Sequence, residues 1–222
     1  MGTNALPSML KYVSAPKNPF GGDRNSGVVF NSFMILGSKA KPAIPQLISL
    51  LRSPDSRTDA THALISIGNE TMPSLIALLD SKDPQLRETA LRILRATLRP
   101  SSDVKSIPSK AATALPSIRK LINDDNPNVS LNAISTFSSI CTNIDLVVKE
   151  ITPGLESESA QVRTFVAVEL RYHSAHAGSA IPALIKALND KNEEVRSQVA
   201  LTLHTIDPSE AKKAGAKVPL YE

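Results

Sequence analysis

The chain has 222 residues, 41% of them hydrophobic and 21% charged, which is the balance of a folded protein rather than a disordered one. A net charge of +4 tolerates anionic partners without demanding them. Aromatic residues amount to 4% with no Trp, so the core must be aliphatic, and a single cysteine, Cys141, excludes both an internal disulfide framework and a cysteine metal cage.

No apolar run reaches the roughly eighteen residues that a spanning helix needs. The opening MGTNALPSML lacks the basic and then apolar profile of a signal peptide, and Leu6 stands where a myristoylation signal wants Ser or Thr. A cytoplasmic protein without a membrane segment is the expectation.

In chain order, one phrase recurs. PSMLKYV starts at Pro7, and APKNPFGGD (15–23) after it reads as a loop from its Pro and Gly content. PQLISLL starts at Pro45 and is followed by SRTDATHALISIG (56–68); PSLIALL starts at Pro73 and leads to DPQLRETALRIL (83–94). The spacer RPSSDVKSIPSKAATA, Arg99 to Ala114, is ten residues longer than the regular one and is expected to bulge or carry a short extra turn. PSIRKLI from Pro116 then leads to NPNVSLNAISTF (126–137), KEITPGL from Lys149 to SAQVRTFVAVEL (159–170), and PALIKAL from Pro182 to NEEVRSQVALTL (192–203). AGAKVPL (214–220) echoes AGSAIPAL (177–184), the start of a further copy or a tail over the last pair.

Each copy reads as two helices. The first opens near a proline, whose missing N–H costs nothing in a first turn, although Pro153-Gly154 after Lys149 should kink or shorten its helix. A polar turn follows, ending at the N-caps Asp83, Asn126, Ser159 and Asn192, with Pro84 and Pro127 at the first helical position after two of them. The second helix carries apolar or small residues at relative positions 0, 4, 7, 8 and 11 from the anchors Leu86, Val129, Val162 and Val195, which lie 43, 33 and 33 residues apart. That spacing makes one buried stripe on a helix of period 3.6, and no sustained alternation suggests a sheet. A lone pair cannot hide such a stripe, whereas stacked pairs cover one another. The expected fold is all-α, a right-handed α-solenoid of about six stacked helical hairpins. Residues 1–222 are expected to form one array with repeats near 5–37, 43–68, 72–99, 114–141, 146–174 and 180–207 and a tail at 208–222.

LGSKAKPAIPQLISLL (36–51) with SRTDATHALISIG, and above all HAGSAIPALIKALNDKNEEVRSQVALTL (176–203), resemble the bacterial HEAT repeat of the phycobilisome bilin-lyase type, within the armadillo/HEAT superfamily. The resemblance covers residues 30–207 well and 5–29 weakly. It implies an arginine after the anchor that ties neighbouring repeats through an acid in the preceding turn. Arg57, Arg87, Arg163 and Arg196 hold that position, with Ser130 in one copy; the acid is Asp124 or Asp190, replaced by Ser81 and Ser157 elsewhere, so the implied ladder is patchy.

The resemblance also implies that positions 2, 6, 9 and 13 of the second helices line the concave side. They read Thr58, His62, Ile65, Asn69; Glu88, Arg92, Arg95, Arg99; Leu131, Ser135, Ser138, Thr142; Thr164, Val168, Arg171; and Ser197, Leu201, His204. A partner is expected there on Arg92, Arg95, Arg99 and Arg171, with Tyr172 and Phe165 as apolar anchors and His62 and His204 beside them. Glu88 and Arg92, four apart with the acid leading, equally suit a solvated helix. No phosphate loop, nucleophile elbow or His-Glu metal pair occurs, and His173 and His176 in HSAH lack a carboxylate or thiol nearby in sequence. The reading is therefore a monomeric, non-catalytic scaffold for a protein partner, with no metal and no cofactor. The alternatives are a nucleic-acid binder using the Arg92–Arg95–Arg99 patch, for which stacking aromatics are scarce, and a chromophore-handling protein like the bilin lyases.

Overall fold

A computed structural model describes residues 3–15, 26–98 and 107–217, and every regular element among them is helical. The chain forms two compact units, Met1–Ser117 and Ile118–Glu222. The first holds α1 (Leu6–Ser14), α2 (Ser26–Leu36), α3 (Ile44–Leu50), α4 (Pro54–Ile67), α5 (Met72–Leu78), α6 (Pro84–Leu98) and most of α7 (Ile107–Lys120). The second holds α8 (Pro127–Ile140), α9 (Ile144–Ile151), α10 (Ala160–Tyr172), α11 (Ile181–Ala187), α12 (Glu193–Ile206) and α13 (Pro208–Lys213).

The longer second helices of the pairs carry the core. Ser56, Ala60, Ala63, Leu64 and Ile67 are buried on α4, as are Leu86, Ala90, Ile93 and Leu94 on α6, and Val195, Val199, Thr202 and Leu203 on α12. A further position, five after the anchor, is buried too, at Leu91, Ile134, Ala167 and Ala200. It faces a neighbouring second helix: Thr202 Oγ1 lies 2.8 Å from the Ala167 carbonyl as α12 packs on α10. Helix α10, packed against both α8 and α12, is thus covered on two flanks, and its buried arc is wider than the sequence stripe. Each large aliphatic side chain buried this way contributes about 1.5–3 kcal/mol.

The caps form as the turn chemistry dictates. Asn126, Ser159 and Asn192 accept from the N–H groups of Val129, Val162 and Val195, and Asp83 accepts from that of Gln85. Left-handed glycines Gly37 (φ 49°) and Gly68 (φ 79°) end α2 and α4, where a Cβ would be strained. From them the chain enters the 3-10 stretches Gly37–Ala43 and Gly68–Thr71, which lead into α3 and α5. Cys141 is the buried residue capping α8.

One expectation is corrected. The helix expected to open near Lys149 begins at Ile144, capped by the Asn143 side chain, and ends at Ile151; Pro153 and Gly154 fall in the 3-10 stretch Thr152–Glu156. The other short first helices open on a proline in the first turn with no side-chain cap, whereas the Asn143 side chain caps this one and starts it earlier. Of the two forms expected for the long spacer, residues 107–114 take the extra turns: they open α7, which runs on through Pro116, whose exposed ring leaves the buried side of the helix intact. The remainder of the spacer, 99–106, and residues 16–25 lie outside the described residues. Beyond α12, Pro208–Lys213 forms a short helix capped by Asp207 that buries Ala211 against α12.

Candidate docking faces of the second helices

The arginines after the anchors do one local job. Arg57 Nε donates to the Leu51 carbonyl, and Arg87, Arg163 and Arg196 Nη1 donate to those of Ser81, Ser157 and Asp190, each at 2.8 Å and each six residues back. These carbonyls end the preceding short helix or its turn, where no intrahelical donor exists and the dipole is negative. Ser130 replaces the arginine by donating to the Ile122 carbonyl at 2.5 Å. The contact uses backbone, so Ser81 and Ser157 serve it as well as an acid would, and the gaps in the acid pattern are not gaps in the contact.

Among the described residues of the second unit, the acidic link between neighbouring pairs in which both side chains are nearly buried belongs to one of these arginines. Arg163 Nε and Nη2 donate to the two carboxylate oxygens of Asp190 at 2.6 and 2.8 Å, with both side chains nearly buried. The acid sits in the turn of the following pair, not the preceding one. The hydrogen bond from Arg163, helped by the Asn192 N–H at 2.8 Å, holds the Asp190 carboxyl below the usual carboxylate range against the opposing effect of burial. Asp124 accepts from the Asn126 N–H at 2.9 Å in the same turn geometry.

In the first unit, the outward positions of α4 and α6 are all at least partly open: Thr58 and Asn69 exposed, His62 and Ile65 half-buried, then Glu88 and Arg95 half-buried and Arg92 exposed. Arg92 forms no ion pair among the described residues, so the expected pairing with Glu88 is not made. Arg99 lies outside the described residues. His62 Nδ1 is buried without a hydrogen-bond partner among the described residues. The sequence reading took this face from α4 onward and missed α2, where Val28, Phe30, Met34 and Ile35 are exposed. The signal was available in SGVVFNSFMIL, which is apolar around most of its circumference.

In the second unit residues of α8 and α10, with Asn192 and Glu194 at the start of α12, line a shallow groove of about 410 Å³. Leu131, Phe165 and Val168 make its apolar floor, and Gln161, Thr164 and Glu194 its rim. Phe165 therefore meets the face residues, as does neither Tyr172 nor Arg171. Tyr172 is 83% exposed and stands edge-on to His173. Arg171 Nη1 donates to Gln198 Oε1 at 3.0 Å, tying α10 to α12, and His204 Nδ1 lies 2.9 Å from the Ala200 carbonyl.

The two histidines of HSAH do not behave as a polar loop pair. His173 is buried at the end of α10, with Glu169 Oε2 3.9 Å from its Nε2, too far for a hydrogen bond. Burial, and secondarily the charge of His176, hold its pKa below the ordinary histidine value. His176 Nδ1 meets Asp145 Oδ1 at 2.9 Å, a carboxylate thirty-one residues away that sequence proximity could not supply. Among the described residues no three metal-ligating side chains gather, and no helix is long and apolar enough to cross a membrane.

Comparison with known proteins adds the following. Residues 148–214 match the family model for HEAT repeats. No curated protein matches the chain. A designed armadillo repeat protein solved with the peptide (KR)4 is 18% identical, covers 91% of this chain and 99% of its own, and has a TM-score of 0.51. An engineered protein is similar at 18% identity, 92% and 99% coverage and a TM-score of 0.53. Computationally designed armadillo repeat proteins for modular peptide recognition are similar at 18% identity, 91% and 100% coverage and a TM-score of 0.51. At these identities the likeness is one of fold: an all-α repeat solenoid.

Proposed function

We propose that this chain, which carries HEAT repeats in an all-α solenoid fold, is a non-catalytic module that binds a protein segment on the open faces of its second helices. The observation that carries the reading is the groove over Leu131, Phe165 and Val168. A soluble fold gains nothing from leaving an aliphatic and aromatic floor open, and an apolar patch with a polar rim suits a protein contact. Half-buried Phe165 offers a rigid anchor, since its flanks are already held and little freedom is lost on binding. A designed protein of the same fold class was solved with a peptide, which makes a peptide segment a physically reasonable occupant.

The test is selection of a displayed random-peptide library on the purified chain, followed by affinity measurement with Leu131→Asp and Val168→Asp. Enriched peptides that lose about tenfold or more in affinity on either variant, with helical content unchanged, are the expected result. No enrichment, or binding indifferent to both substitutions, contradicts the reading.

A further inference from the structure

The first unit carries a second face of different chemistry. Helix α2 packs on α4 and α4 on α6. Gly37 and Gly68 end the first two, which sets their registers 31 residues apart, and Arg57 and Arg87 set α4 and α6 30 apart. The buried residues agree with this alignment: Val29, Ala60 and Ala90 are equivalent, as are Phe33, Leu64 and Leu94. The outward residues then fall into two rows, Asn31–His62–Arg92 and Met34–Ile65–Arg95. On α2, Met34 is 53% exposed and Ile35 beside it is 64% exposed, whereas Val28 turns toward α1.

The face thus changes from aliphatic on α2 to cationic on α6. With helix axes about 8–10 Å apart, the two ends are separated by roughly 16–20 Å, or about five or six residues of extended chain. Arg92 is exposed and forms no ion pair among the described residues. The acids on these helices, Asp55, Asp59 and Glu88, make no ion pair with it. The segregation also bears on what fits. An interfacial helix brings its apolar and cationic faces to the membrane boundary together along one helix, whereas here they stand on separate helices at opposite ends of the face.

We propose that this face takes a protein segment of split character, with bulky apolar side chains on Met34 and Ile35 and carboxylates over Arg92 and Arg95. The proposal rests on the docking reading above and adds the kind of partner and its direction across the helices. Charge complementarity selects the acidic end, and the exposed aliphatic patch selects the apolar one.

The test repeats the library selection with the whole chain as bait and counter-screens on two variants, Arg92→Glu/Arg95→Glu and Met34→Ser/Ile35→Ser. The expected outcome is a class of peptides with an acidic run about five residues from an apolar one. Their affinity should fall about tenfold or more on either variant, and raised salt should weaken them on the parent chain but not on the charge-reversed one. Basic or uncharged peptides insensitive to both variants, yet lost on Leu131→Asp, would overturn this proposal and leave the proposed function standing. No enrichment at all would end both. Vesicles of three parts phosphatidylcholine to one part phosphatidylserine are the remaining arm; if they bind the chain and the same variants abolish it, the face meets a lipid surface and the proposal is wrong.

Discussion

A Cβ placed on Gly154 would stand 2.8 Å from Val166 Cγ2, closer than such contacts allow. Val166 is fully buried and stiff about its single side-chain torsion, so it cannot swing away. Gly154→Ala is expected to cost about 1–3 kcal/mol, and Val166→Ala in the same chain should recover part of it, which a double-mutant cycle in urea would read. At His173 the effect is one of pH. Its folded-state pKa is lowered, so below the unfolded value of 6.5 the unfolded chain takes up a proton that the folded chain resists. Stability from this residue is full above about pH 7 and declines as the pH falls through about 6.5. Melting followed between about pH 7.5 and pH 5.5 should show a steeper loss for the parent chain than for His173→Asn; equal slopes would count against it. Neither effect was legible in the chain. HSAH read as loop because the residues that bury His173 and pair with His176, Asp145 foremost, come from another repeat.

Elements were legible where local chemistry decides them. Asn126, Ser159 and Asn192 announced three helix starts because a cap is a contact within three residues. The start of α9 was misplaced because an asparagine cap at Asn143 took the place of the recurring proline. What periodicity missed was the contact between helices, seen in the burial of Leu91, Ile134, Ala167 and Ala200. The Arg163–Asp190 link belongs to this scale, since it ties α10 to the turn before α12 across 27 residues. Arg163→Ala leaves a nearly buried carboxylate unpaired and frees the Ser157 carbonyl, and is expected to cost about 3 kcal/mol or more. Asp190→Asn should cost less, because the uncharged amide can still accept one of the bonds. Hydrogen exchange should locate both losses in α10, α11 and α12, as expected where a repeat contacts only its neighbours. A loss spread evenly over α2 to α6 as well would contradict this.

For the molecule as a whole, the partition between structural and available residues is the main finding. The arginines one place after the anchors are consumed by backbone carbonyls, and Arg171 by Gln198, whereas Arg92 and the aliphatic side chains of α2, α8 and α10 remain open. The sequence pattern missed the buried position five after the anchor and started the outward face at α4. It therefore favoured Arg92, Arg171, Tyr172 and Phe165 and passed over Met34 and Ile35, since no local rule marks an apolar residue as exposed. Hydroxyl-radical footprinting of the chain with and without a library-selected peptide tests the docking reading most directly, because it reports side-chain exposure. Protection of Leu131, Phe165 and Val168, with no change at the turn residues Ser157, Glu158 and Lys191, is the expected result. Protection confined to those turn residues, with the open faces labelled as before, would contradict it.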